Sequence, residues 1–342
     1  MEIGNQIKAL RQRKGITQEV MAQHFGITAQ AVSKWERGVA TPDIGMLPEI
    51  SAYFGVTIDE LFAISDDTRM ERIQNMLWDV RYLDPVDVTA AEAFLLGKAN
   101  REPHNGRPHE LLADMENHLA REHQSKAAEY AKEALRRDPT LRNAHGELIY
   151  GMQGMIADLN CASHYALIDF YEGYIHEHPD CKNAYMDIMN QLIDDYRIDE
   201  AKYYCDRYSQ IDNSYRVLLF RGKIAWQEGN RQEAFRLWEQ MEQEFPEEWC
   251  VYHNIGDYLL RDGQIGKVAA YYRKAIDIQK APRYTDPFEA LALFYERIGN
   301  YAAAIATLEE DLDVCDKEWH FTEGESADVI RREIARLQKK LK

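Results

Sequence analysis

Gly222 and Gly256 stand 34 residues apart, Gly229 and Gly263 repeat that interval, and Ala234 and Val268 repeat it again. A fixed period of this length marks a chain built from supersecondary modules, each unable to cover its own apolar face and each covered by its neighbours. Outside the repeat, apolar residues recur at steps of three and four almost everywhere, and no Val/Ile/Thr-rich alternating run reads as a strand. The expected fold class is therefore all-α, and the 342 residues suffice for two or three packed units.

The repeated segments share a layout of small and large residues. "LLFRGKIAWQEGNRQEAFRLWEQMEQEFP" places Leu218, Gly222, Gly229, Ala234, Trp238 and Pro246; the next unit places Tyr252, Gly256, Gly263, Tyr272 and Ala275; a third places Phe288, Ala292, Tyr295, Gly299 and Ala304. Upstream, Tyr185, Ala201 and Tyr208 fit one unit, and Ala127, Ala131, Ala134 and Pro139 fit the second helix of an earlier one. This pattern resembles the tetratricopeptide repeat, a helix pair in which small residues admit close approach and large ones fill the gap. Residues 140–179 fit the period loosely, and five to six helix pairs are expected. The resulting partition is a helix-turn-helix domain over 1–65, a helical connector over 66–107, repeats over 108–322 and a closing helix over 323–342. In that last helix Ile330, Ile334, Leu337 and Leu341 form a stripe, suited to a solenoid cap or to a dimer contact.

The N-terminal zone is dense in helix signals. Ile3, Ile7 and Leu10 stripe a first helix; Thr17 caps a second, with Glu19 in its first turn; Thr28 caps a third carrying Val32 and Trp35 inward. Leu47, Ile50 and Phe54 stripe a fourth, and Thr57 with Glu60 forms a capping box opening a fifth. Two short helices joined by a turn at Gly26 make a helix-turn-helix. The ordered set Thr17-Gln18, Met21-Ala22, Gly26, Val32-Ser33, Trp35-Glu36, Gly38 and Pro42 resembles the lambda-repressor-like (XRE-family) domain. That resemblance implies a major-groove reading face of Ala29, Gln30, Ser33 and Lys34. It also implies phosphate contacts from Gln18, Thr28 and Arg37, with Arg11 touching phosphate or pairing with Glu36. The side-chain chemistry agrees: glutamine can pair bidentately with adenine, lysine can donate to guanine, serine serves either role, and an alanine methyl can meet thymine. The two alanines, Ala29 and Ala31, leave the face poor in donors, so DNA shape is expected to add specificity.

Net charge first argues against nucleic acid and then locates it. The chain carries −17, yet residues 1–37 hold six basic residues (Lys8, Arg11, Arg13, Lys14, Lys34, Arg37) against three glutamates. The acidity belongs to the remainder, which discourages wrapping of DNA and leaves a small positive edge for it.

Stacked helix pairs line an inner face with their first helices, where repeats of this kind grip extended segments. Repeat phase assigns Asn183, Asn190, Arg216, Lys223, Trp226, His253, Asn254, Asp257, Arg261 and Arg297 to that face. Asparagine can donate to and accept from a peptide backbone at once, and Arg or Lys can hold a carboxylate. The order of domains resembles peptide-responsive regulators of the RRNPP type, which implies a dimeric, sequence-specific transcription regulator whose repeats sense a peptide or protein. An interaction adaptor that uses the repeats as a scaffold, and a regulator whose repeats serve only dimerisation, are the other readings.

Other chemistries find little support. His104, His109, His118 and His123 are spaced poorly for one helix face, and neither H-E-x-x-H nor a Cys/His quartet is present, so no metal is expected. Phosphate-loop and nucleophile-elbow motifs are missing, so neither enzyme activity nor a cofactor is expected. Cys161, Cys181, Cys205, Cys250 and Cys315 form no C-x-x-C and read as reduced thiols, in keeping with a cytoplasmic location.

Overall fold

The structure, a computed structural model, describes residues 3–62, 65–153 and 164–341; Cys161 lies outside them. Among the described residues the regular elements are helices, nineteen α and one 3-10, and the chain forms two compact units, Met1–Lys126 and Ala127–Lys342.

In the first unit, α1 (Ile3–Arg13), α2 (Gln18–His24), α3 (Ala29–Glu36), α4 (Leu47–Phe54) and α5 (Ile58–Leu61) enclose one core. It is made of Ile3, Ile7, Leu10, Met21, Val32, Trp35, Ile50 and Leu61. The expected caps are in place: Thr17 accepts from the Val20 amide, Thr28 from the Ala31 amide, and Thr57 and Glu60 close a capping box. Next come α6 (Asp66–Asp79), α7 (Pro85–Arg101) and α8 (Arg107–Arg137). The segment 66–107 is more than a connector. Met70, Leu77, Leu83, Ala91 and Leu95 pack with Leu111 and Met115 of α8, which is why the first unit runs past residue 107 into that helix. α8 is one helix of 31 residues, where the sequence suggested the second helix of a repeat. No glycine or proline interrupts residues 109–137, and the buried small residues there are Ala128 and Ala131 rather than Ala127.

In the second unit, α9 (Arg142–Gly151) and α10 (Tyr165–Glu177) precede four tight antiparallel pairs. These are α11 (Lys182–Asp194) with α12 (Ile198–Ile211), α13 (Tyr215–Gln227) with α14 (Arg231–Glu244), α15 (Trp249–Arg261) with α16 (Ile265–Asp277), and α17 (Asp286–Arg297) with α18 (Tyr301–Lys317). Four complete pairs among the described residues replace the expected five to six. The period rests on two devices. Gly229 and Gly263, at φ 83° and 81°, take the left-handed turn between the helices of a pair, a conformation that costs a residue with a Cβ free energy. Gly222 and Gly256 face the aromatic residue sixteen positions on: a Cβ would lie 2.0 Å from Trp238 Nε1 in one pair and 2.7 Å from a Tyr272 ring carbon in the other. Trp238 and Tyr272 are both buried, and each large side chain so covered contributes roughly 1.5–3 kcal/mol.

The closing helix, α19 (Glu325–Gln338), lays Ile330 and Leu337 on Ala304, Ile305 and Leu308, so the stripe covers the last pair as a cap does. Leu341, the fourth residue of the expected stripe, lies beyond the helix and is exposed. The four described cysteines are free thiols, Cys205 and Cys315 buried, and burial raises both to about 11. Among the described residues no helix is long and apolar enough to cross a membrane.

Candidate nucleic-acid interface and ligand cleft

α3 is positioned by a polar lock. Its last residue, Glu36, is buried with a side chain only 3% exposed, and both carboxylate oxygens are met from outside α3. Arg11 of α1 donates from Nε to Oε1 at 2.5 Å and from Nη2 to Oε2 at 3.0 Å, while Gln18 of α2 donates to Oε2 at 2.7 Å. Burial alone pushes the Glu36 carboxyl up, but the Arg11 and Gln18 hydrogen bonds and the Arg11 charge outweigh it and hold the group below the usual carboxylate range. Arg11 also donates to the Ile16 carbonyl at 2.7 Å. Three helices thus meet on one carboxylate, which fixes how α3 projects.

This arrangement engages two of the residues expected at phosphate. Arg11 takes the pairing role of the two open to it, because its guanidinium is largely buried between Glu36 and the Ile16 carbonyl. The Gln18 amide likewise bonds Glu36, with the residue half-buried. Lys14, another member of the basic set, has its ammonium 3.6 Å from the centre of the Tyr53 ring.

On α3 itself, Gln30 and Lys34 lie one turn apart and exposed, with Arg37 exposed just past the helix end, its Nε donating to the Ser33 carbonyl at 3.2 Å. Ser33 is half-buried beside them. Ala29 is drawn partly into the domain core, so its methyl offers less surface than the sequence suggested. Thr28 is occupied as the helix cap. The outward donors are therefore Gln30, Lys34 and Arg37, a short polar face of the size a major groove admits.

In the second unit, five of the ten residues assigned to the inner face come together. Asn190, Lys223 and Asp257 hold equivalent positions on α11, α13 and α15, and Lys223 Nζ reaches Asn190 Oδ1 at 3.3 Å. Desolvation, followed by the neighbouring Arg261, lowers the Lys223 ammonium below its ordinary value. Asp257, Arg261 and Arg297 line a cavity of about 420 Å³ with Leu260, Leu293, Phe294 and Tyr272. The Tyr272 hydroxyl donates to Asp257 at 2.6 Å. Phase reasoning missed Tyr272 because it belongs to a second helix, although its fixed distance from Gly256 in sequence is the signal that carries it.

Of the remaining five, four are placed otherwise and one stands at the edge of this group. Trp226 packs into an aromatic cluster with Phe235, Trp238 and Tyr258, since a large ring at that position fills the gap beside Trp238. Asn254 turns back to donate to the Cys250 carbonyl at 2.8 Å. His253 stands at the edge of the Asp257 group, its Nε2 3.9 Å from Asp257 Oδ2 and its ring near those of Trp249 and Tyr272, while Arg216 lies over Tyr215 and Asn183 is exposed near the start of α11. The histidines upstream do not converge. His118 is buried with Nε2 3.2 Å from the Arg81 carbonyl, and no three His, Cys, Asp or Glu among the described residues are grouped to hold a metal.

A small helical domain that locks a capped helix outward, followed by stacked helix pairs, defines a helix-turn-helix protein carrying tetratricopeptide-like repeats. Comparison with known proteins agrees: the Helix-turn-helix family matches residues 7–61, and the Tetratricopeptide repeat family matches residues 251–282. The HTH-type transcriptional activator BcrR of Enterococcus faecalis is 41% identical over 63 residues, which are 18% of this chain and 31% of that protein. An HTH-type transcriptional regulator of Methanocaldococcus jannaschii is 32% identical over 63 residues, 18% of this chain and 96% of that protein. The chain belongs, through its first domain, to the helix-turn-helix transcriptional regulators, and it spans only about a third of the length of BcrR. Among solved structures, a tetratricopeptide repeat protein of Parabacteroides merdae superposes with TM-score 0.41 and 16% identity over 81% of this chain and 99% of that one. Bacillus thuringiensis PlcR, in complex with the peptide PapR7 and DNA, superposes with TM-score 0.24 and 14% identity over 92% of this chain and 94% of that one.

Proposed function

We propose that this chain is a sequence-specific DNA-binding transcription regulator, dimeric on its operator, whose repeat unit senses a peptide or protein segment. The observation that carries the reading is the Arg11–Glu36–Gln18 lock, which fixes α3 with Gln30, Lys34 and Arg37 facing out. Gln30 and Lys34 would read base edges, with Ser33 beside them. Arg37 and the capped N-terminal turn at Thr28 would track the phosphates, the positive helix end favouring an anion. Two protomers would place two such helices on half-sites one helical turn apart.

The ridge of Asn190, Lys223, Asp257, Arg261 and Arg297 supports the sensing role. It combines an amide, three cations and one carboxylate beside a part-apolar cavity, a set able to hold a peptide main chain and a terminal carboxylate. Ligand held there would act by favouring one arrangement of the dimer over another.

The test is selection of bound genomic DNA by the full chain, followed by salt titration of the enriched site. Enrichment of a two-fold site whose affinity falls steeply with salt supports the reading. An absence of enriched sequence, with affinity indifferent to salt, would leave the adaptor reading in its place.

A further inference from the structure

A second cleft lies at the end of the repeat unit, between α17 and α19, and combines features that the sequence did not single out. One part, about 390 Å³, is lined by Tyr284, Trp319 and Phe321 together with Asp286, Glu289 and Cys315. A second part, about 280 Å³, is continuous with it through Glu289, Val329 and Ile330, and adds Leu293, Leu308 and Leu337. Val329 and Leu293 stand at its walls with nearly half of their surface in solvent.

Among the described residues, no cation is paired with the acidic end of this cleft. Arg283 is paired with Glu318 and Glu310, and Arg336 and Lys340 with Glu296. Among the described residues, no ion pair reaches Asp286, Glu289 or Asp311. Asp311 is the sharper observation: it is wholly buried, and both of its carboxylate oxygens lack a hydrogen-bond partner. It sits on α18 between Leu308 and Cys315, which line the two parts of the cleft, but lines neither part itself; it lies behind the wall, close enough to Asp286 and Glu289 to feel their charge. Buried polar groups are nearly always satisfied, and an isolated buried carboxyl is costly in either form. Asp286 and Glu289 of α17 and Glu310 of α18 all add like charge around it.

We propose that this cleft binds an organic ammonium on an apolar stem. The cationic head would lie among the faces of Tyr284, Trp319 and Phe321 with Asp286 and Glu289 beside it, where ring quadrupoles and carboxylates attract the same charge. The stem would run along Leu293, Leu308 and Val329. Two sources carry this chemistry: a free small amine, and the N-terminal amine of a short peptide with an apolar first residue. The site differs from the Asp257–Arg261–Arg297 ridge in the sign of charge it selects, and its test needs no DNA.

The full chain is titrated calorimetrically at pH 8 with phenethylamine, with N-acetylphenethylamine as the uncharged counterpart, and with the dipeptide amide Phe-Leu-NH2 with a free or acetylated N-terminus. Phenethylamine is expected to bind at least tenfold more tightly than its acetylated form. The dipeptide arm assigns the source: a free dipeptide binding more tightly than phenethylamine favours a peptide terminus, and the reverse favours a small amine. Glu289→Gln and Tyr284→Ala, both at exposed positions, are each expected to weaken the amine at least fivefold while the far-ultraviolet dichroism stays unchanged. Absence of binding by every amine at millimolar concentration, equal binding of the acetylated probe, or unaltered affinity in Glu289→Gln overturns the proposal.

Discussion

Two buried carboxylates, one in each unit, are treated in opposite ways. Glu36 in the first unit is met by Arg11 and Gln18 from two other helices and is held below the ordinary carboxylate range. Asp311 in the second has no hydrogen-bond partner among the described residues, and burial, reinforced by Glu289, Asp286 and Glu310, pushes it up to about 7. A short helix that must present a fixed face to a rigid duplex needs its end pinned, and a satisfied buried ion pair specifies one geometry. Between the two helices of a repeat pair, steric matches such as Gly222 against Trp238 set the register. The acid without a hydrogen-bond partner there pins no helix, and it adds negative charge behind the wall of the cleft between α17 and α19.

The contrast can be broken most forcefully at Arg11. Arg11→Met leaves Glu36 buried and unpaired, with an expected loss of roughly 3–5 kcal/mol from the first unit, and Arg11→Met with Glu36→Leu should recover much of it. Urea unfolding of the full chain reads both, and an unchanged midpoint in the single variant would contradict the lock. Lowering pH acts the same way: with the folded Glu36 value depressed, its contribution is present above the unfolded carboxylate range and disappears as pH falls through the folded value.

The steric side of the comparison is sharpened by a glycine pair. Gly222→Ala drives a Cβ into the buried Trp238 indole and should cost about 3 kcal/mol. Gly266→Ala, in α16 with nothing within 4 Å of the added carbon, should instead stabilise by up to about 1 kcal/mol. Equal shifts in the two variants would show that packing does not set the repeat.

Asp311→Asn gives the most selective effect. The folded chain keeps this proton up to about 7, whereas an unfolded aspartate releases it near 3.8, so stability declines as pH rises through that interval. The variant should therefore gain stability at pH 8 and little at pH 4, the reverse of the Glu36 dependence. Thermal melts at the two pH values decide it, and a gain of equal size at both would remove the case for a charged Asp311.

How far the sequence could be read follows the range of the interactions. Thr17, Thr28 and Thr57 announce helix starts because a cap bonds three residues away, and the 34-residue period is visible because Gly and its aromatic partner sit sixteen apart in a constant frame. The exposed side of α3 was legible for the same reason, Gln30 and Lys34 being one turn apart. The Glu36 lock was only half legible: Arg11 stood as a pairing choice, but Gln18 looked free, since nothing local shows what approaches it from another helix. α8 misled because alanines at helix spacing look alike in one long helix and in a repeat. Trp226 misled because phase gives a side of the helix and not the neighbouring ring that claims it. Asp311 carried no local signal at all, being defined by what fails to reach it.

The central claim, that α3 reads DNA through its outward face, is tested most directly by measuring affinity for the selected site and for unrelated DNA at fixed salt, in the native chain and in Gln30→Ala with Lys34→Ala. Each base-edge pairing is worth roughly 1–3 kcal/mol, so the ratio of the two affinities should fall at least tenfold while the fold and the binding to unrelated DNA change little. A ratio unchanged in the double variant would contradict the account.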